Sequence, residues 1–152
     1  MDENKKSGRY QRLYAQIITL LQKSPDEQAA MATIASVLYN KMDYFFWCGF
    51  YRTDGNRLIV GPYQGPPACQ VLQNSGVCLT AVQQQRILVV SDVHQFPGHI
   101  GCDSRSKSEI VVPVKNKEGL IVAVLDVDSK EVGSFSDTDA VHLEKIVALI
   151  YA

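Results

Sequence analysis

Four cysteines carry the most reactive chemistry in this chain, at positions 48, 69, 78 and 102. Cys69 follows Gly65-Pro66-Pro67-Ala68, Cys78 follows Gly76-Val77, and Cys102 follows Pro97-Gly98-His99-Ile100-Gly101. Glycine and proline beside a thiol favour an irregular backbone that brings sulfur to the surface, where a thiolate can act as nucleophile or be oxidised. Cys48 lies between Trp47 and Gly49-Phe50 in an aromatic strand and reads as a small buried apolar residue. For Cys78 two readings stay open: packed inside a short helix, or near that helix's N-terminus, where the dipole favours thiolate. No pair has Cys-x-x-Cys spacing. The irregular spacing of Cys69, Cys78, His99 and Cys102 likewise argues against a zinc site, so no cofactor and no metal is expected.

Carboxylates form the second signal. In the run 120–128 both strand faces are apolar until Asp126, and alternation puts Asp126 and Asp128 in one row with Val122 and Val124. Carboxylates at the end of a strand buried on both sides are costly unless something pairs with them. Glu109 opens the neighbouring strand, so a tight hairpin brings it to the same sheet edge, in a shared pocket rather than at a solvated strand end. Trp47 and Tyr51 share a strand face, and the pattern alone assigns them to core packing. His142 is expected at the surface of the terminal helix. His94 and His99 share a loop with Cys102, whose pKa His99 would lower.

The elements that position these groups follow from periodicity. Apolar residues at helical spacing predict a helix over 10–23 with residues 1–8 a flexible segment. Ser24 is placed to cap a second helix, with Pro25 at its first position and Glu27 closing a capping box. Strands are expected over 44–51, 57–61, 87–90, 109–114 and 120–128, a short helix over 77–85, and a last helix ending near 151. Long loops over 62–76 and 91–108 separate them. Helices flanking antiparallel strands imply an α+β domain, with the helices against one sheet. Long loops inside a compact domain are usually functional or disordered, and the cysteines favour function.

At 152 residues, 46% hydrophobic and 20% charged, the chain is expected to form one domain spanning 1–152. Lys plus Arg at 15 against Asp plus Glu at 16 gives no footprint for nucleic acid or an anionic membrane. The polar start has no apolar h-region, which with the absence of a secretory signal gives a cytoplasmic expectation and reduced thiols.

Gln64-Gly65, Ala68-Cys69-Gln70, Gly76-Val77-Cys78, Ser91-Asp92-Val93, Phe96-Pro97-Gly98-His99-Ile100, Cys102-Asp103, Ser108 to Pro113 and Asp126-Val127-Asp128 together closely resemble the free-methionine-(R)-sulfoxide reductases, stand-alone GAF domains. The resemblance spans nearly the whole chain. It implies a GAF-type fold, a mainly antiparallel sheet with N- and C-terminal helices packed on it. It implies attack on the sulfoxide sulfur by Cys102, resolution of the sulfenic acid by Cys69, and a relay role for Cys78. It implies that Trp47, with Tyr51 nearby, encloses the substrate methyl group, that Glu109 and Asp128 handle the sulfoxide oxygen, and that Asp126 holds the substrate ammonium. Free methionine-(R)-sulfoxide as substrate, thioredoxin as reductant and a homodimer also follow from it. Leu79 stands where the family has glycine, Gly101 where it has alanine, and the Cys69–Cys78 spacing is one residue short. The first and last bear on Cys78, none on Cys102. The rival readings are a GAF sensor that binds a small molecule without catalysis and a metal-binding structural module.

Overall fold

A computed structural model describes residues 1–99 and 101–152. Its elements in chain order are α1 (Glu3–Leu21), α2 (Glu27–Lys41), β1 (Trp47–Asp54), β2 (Arg57–Gln64), β3 (Val71–Leu72), α3 (Val77–Gln84), β4 (Leu88–Val90), β5 (Ser108–Lys115), β6 (Ile121–Ser129) and α4 (Asp137–Val147). The six strands form one sheet in the order β3-β2-β1-β6-β5-β4, and every neighbouring pair is antiparallel. This is the GAF fold, an α+β arrangement.

Strand alternation sorts the side chains between two cores. Cys48 and Phe50 of β1, Ile110, Val112 and Val114 of β5, and Ala123, Leu125 and Val127 of β6 pack against α1, α2 and α4. Trp47 and Tyr51, Val111 and Val124 point to the other face, where α3 supplies Val77, Cys78, Leu79 and Ala81. The chain therefore leaves one sheet face to three helices and the other to α3 and the loops. Among the described residues no helix is long and apolar enough to cross a membrane.

Several element ends differ from the sequence expectation, each for a local reason. Residues 3–8 are helical, not a flexible segment. Asp2 caps α1 by accepting the Lys5 N–H at 2.8 Å. Lys6 is buried, with Nζ 2.6 Å from Asp139 Oδ2 and 2.9 Å from the Ser134 carbonyl. Tyr10 and Tyr44 hydroxyls donate to Asp139 Oδ1 at 2.6 and 2.5 Å, so one buried carboxylate ties α1 to α4 and to the entry of β1. Such a network is costly to break because each lost partner leaves a buried polar group unpaired. The cap of α2 is Asp26, which accepts the Ala29 N–H at 2.8 Å, while Ser24 donates its hydroxyl to the Asp26 carbonyl. β2 runs on to Gln64 and pairs with β3, shortening the expected loop. After Val147 the chain tightens into turns with i→i+3 bonds, Leu149 N to Ile146 O and Ile150 N to Val147 O. His142 is half-buried rather than on the surface, stacked on the Tyr10 ring at 5.1 Å.

Candidate active site

Register brings the acidic and aromatic residues to one place. β1 pairs with β6 so that Trp47 faces Asp128 and Gly49 faces Asp126, and β5 pairs with β6 so that Glu109 faces Asp128 and Val111 faces Asp126. Glu109, Asp126, Asp128, Trp47 and Tyr51 thus share the sheet face opposite α1, α2 and α4. They line a single pocket with Cys78 of α3, and Cys102 and His99 of the loop between β4 and β5 also border it. Of the eight candidate catalytic and substrate-binding residues, all except Cys69 line this pocket, and Cys69 is bonded to one that does.

Trp47 and Tyr51 are buried, as core packing requires, and they also form the pocket wall and anchor its cover. Their rings stack at 5.8 Å. Trp47 Nε1–H donates to the Pro66 carbonyl at 3.0 Å, and the Tyr51 hydroxyl donates to the Cys69 carbonyl at 2.8 Å. These bonds hold the loop that follows β2 against the sheet. Gly49 is required beneath the indole, since a Cβ there would lie 2.7 Å from Trp47 and 2.2 Å from Tyr63 Cβ. Gly65, at φ +121°, turns the chain beside the same indole, where a side chain would be strained. Pro66 and Ser75 contribute to the pocket without having been singled out from sequence. The Ser75 hydroxyl donates to the Gly98 carbonyl at 2.9 Å and joins the two covering loops.

A disulfide joins Cys69 and Cys102, with Cα atoms 5.6 Å apart across 33 residues of sequence. Cys102 is exposed and Cys69 half-buried, so the bond sits at the mouth. Ile100, part of the motif before Cys102, lies outside the described residues. Cys78 is not a surface thiol. It is buried, with Sγ 3.9 Å from Glu109 Oε2. Burial pushes its pKa well up, and Asp126, Glu109 and Asp128 push it further, so the helix-terminus dipole does not produce a thiolate there. His99 is also less useful as a charge than its sequence position implies. Partial burial, then neighbouring His94, lowers its pKa, and a neutral imidazole cannot stabilise a Cys102 thiolate by charge. Cys48 is buried among the helix-side residues, as its strand context implies.

The carboxylates are the clearest electrostatic feature. Burial raises the pKa of Glu109 well above the usual range, and the Asp126 and Asp128 charges raise it further. Burial then Asp126 and Asp103 raise Asp128. Burial raises Asp126, opposed by hydrogen bonding to Glu109 and Cys78. Asp103, held down to about 2 by the fork of Arg105, supplies a fixed negative charge at the rim. Asp126 Oδ1 is buried and has no hydrogen-bond partner among the described residues. The arrangement offers a carboxyl whose protonated form is favoured and an unpaired acceptor in one small space.

These shifts have a consequence for stability. A carboxyl whose folded pKa is raised binds more protons folded than unfolded between its ordinary and raised values. The contribution of Glu109, Asp126 and Asp128 is therefore greatest below the ordinary carboxylate range and declines as pH rises to their raised values. Urea midpoints measured across that window should fall less steeply with pH in Glu109→Gln than in the parent. A parent and variant with identical slopes would show that Glu109 does not carry a raised pKa.

The GAF domain family matches residues 24–151 of the chain. A Dictyostelium discoideum protein called GAF domain-containing protein A is 43% identical over 152 residues, covering 99% of this chain and 95% of that one. The free methionine-R-sulfoxide reductase of Escherichia coli is 42% identical over 123 residues, covering 79% of this chain and 73% of that one. The structure of free methionine-R-sulfoxide reductase from Neisseria meningitidis in complex with its substrate superposes with a TM-score of 0.92 at 36% identity, covering 99% of this chain and 89% of that one.

Proposed function

The chain belongs to the free methionine-R-sulfoxide reductases of the GAF domain family, and we propose that its pocket reduces free L-methionine-(R)-sulfoxide to methionine. The observation that carries the reading is the Cys69–Cys102 disulfide at the mouth of a pocket floored by three carboxylates of raised pKa.

A sulfoxide sulfur is a poor electrophile until its oxygen is protonated. Glu109, with Asp128 beside it, supplies that proton, because burial and the neighbouring carboxylates favour its protonated form. The Cys102 thiolate attacks the sulfur, the S–O bond breaks, and the oxygen passes to Cys102 as a sulfenic acid while methionine leaves. The Cys69 thiol condenses with that sulfenic acid, water departs, and the Cys69–Cys102 bond forms. An external dithiol of the thioredoxin kind then reduces the exposed disulfide by thiol exchange, which suits a cytoplasmic, reducing setting. The balance is one sulfoxide and two thiols to one thioether, one disulfide and one water. Trp47 and Tyr51 supply the apolar wall for the S-methyl group, and the unpaired Asp126 Oδ1 accepts from the substrate ammonium.

The test is turnover of free methionine-(R)-sulfoxide with a thioredoxin system, with a count of thiols after substrate is added to the reduced protein. The expected result is two thiols lost for each methionine formed. A sensor that binds without reaction would lose none. In Cys69→Ser the first half should survive, with a sulfenic acid on Cys102 trapped by dimedone. A normal disulfide from Cys102 to Cys78 at unchanged turnover would move the resolving role to Cys78.

A further inference from the structure

We propose that Cys78, Glu109 and Asp126 form a binding site for a thiophilic divalent cation, zinc in the cell, on the floor of the pocket and separate from the Cys69–Cys102 pair. Each of the three contributes one ligand atom, all three atoms lie within 4.8 Å of one another, and all three residues are buried. A tetrahedral zinc with bonds of about 2.3 Å to sulfur and about 2.0–2.2 Å to oxygen places those ligands roughly 3.6 Å apart. Cys78 Sγ and Glu109 Oε2 stand 3.9 Å apart, so that edge must close by only a few tenths of an ångström.

Two further observations point to a cation rather than to a purely structural cluster. The Asp126 carboxylate is buried, and its Oδ1 has no partner among the described residues. A positive ligand satisfies that oxygen and offsets the mutual repulsion of the acidic groups. The donor set also mixes one sulfur with two oxygens, which suits zinc or cadmium better than magnesium or calcium. Three protein ligands leave the fourth position open toward the pocket. Cys48, the other free cysteine, lies among the helix-side core residues across the sheet and takes no part.

Binding displaces the proton of the Cys78 thiol, so affinity rises with pH. The consequence for activity rests on the reductase reading. The metal and the substrate ammonium claim the same Asp126 carboxylate, so zinc acts as a reversible, substrate-competitive inhibitor. Because Cys78 stays free when Cys69 and Cys102 are joined, the site exists in the oxidised protein as well.

That last property makes the test clean. Purified protein in the disulfide form is titrated with cadmium, leaving Cys48 and Cys78 as the only thiols. The expected result is one equivalent bound, with an ultraviolet thiolate-to-cadmium band that zinc bleaches by displacement. The band should vanish in Cys78→Ser and persist in Cys48→Ala. Glu109→Gln and Asp126→Asn should each weaken binding by at least the roughly 10–100-fold that loss of an outer-shell partner costs. No band in the parent, or a band that survives Cys78→Ser, overturns the proposal. Inhibition of turnover by zinc without that band also overturns it, since the metal is then held by the reduced Cys69 and Cys102. A cadmium site with this pattern in a protein that turns over no sulfoxide leaves the site standing and removes the reductase reading instead.

Discussion

Cys102→Ser should abolish methionine formation, even in a single turnover with no reductant supplied. The effect should be on the order of 10⁴-fold or more, the scale on which loss of a catalytic nucleophile is felt. The reason lies in what the other thiols can do. Cys78 is buried beside three acidic groups that hold it in the protonated form, and Cys48 lies across the sheet. Neither offers a thiolate to the substrate, and a serine hydroxyl is a far weaker nucleophile. Cys102 is exposed, so the replacement leaves no cavity and the fold should survive. A disulfide across this sequence separation stabilises the oxidised protein by roughly 3–4 kcal/mol in the chain-entropy account. The variant must therefore be compared with reduced parent, whose thermal midpoint it should share. Quantifying methionine after one addition of substrate decides the matter. One methionine per chain from the variant would transfer the attack to another residue.

How much of this was legible in the sequence differs from group to group. The β5–β6 hairpin could be read because two continuous apolar runs flank a short polar turn, and the two-residue strand period put Asp126 and Asp128 in one row. Glu109 followed from the hairpin, since a short connection fixes which residues face each other. Trp47 and Tyr51 were placed on one face correctly, but pattern could not separate a core wall from a pocket wall, because both demand buried aromatic rings. The distinction is made by what lies opposite them, and that comes from loops whose course no periodicity describes. Cys78 was ambiguous for a different reason. A helix terminus and a buried carboxylate cluster push a thiol in opposite directions, and only the distance to Glu109 shows which prevails. Lys6 was missed because a polar run at a chain start looks solvated. Its partner Asp139 is 133 residues away, and the one local clue was Tyr10, whose buried hydroxyl needed an acceptor. The roles of individual side chains came from the family resemblance rather than from any pattern.

Asp126→Asn should separate binding from chemistry. The change keeps shape and volume but removes the negative charge at an oxygen that is buried and unpartnered in the empty pocket. In the parent that oxygen awaits a donor, and a substrate ammonium supplies a charge-assisted hydrogen bond worth roughly 1.5–3 kcal/mol. Losing it should raise KM for free methionine-(R)-sulfoxide by about 10-fold or more. The proposed nucleophile Cys102 is untouched and Glu109 keeps its carboxyl, so kcat at low pH should change much less. The repulsion that raises Glu109 also weakens in this variant, so the fall of activity with rising pH should begin lower. The parent enzyme offers the complementary experiment. N-acetylated methionine-(R)-sulfoxide carries the same sulfoxide and methyl group but no ammonium, and it should react with a KM raised by a similar factor or more. Asp126→Asn should narrow the gap between the two substrates, since the carboxylate no longer rewards the charge. Equal KM for both substrates in the parent would mean that no carboxylate reads the ammonium, and selectivity for the free amino acid would have to come from steric closure by the Cys69 and Cys102 loops.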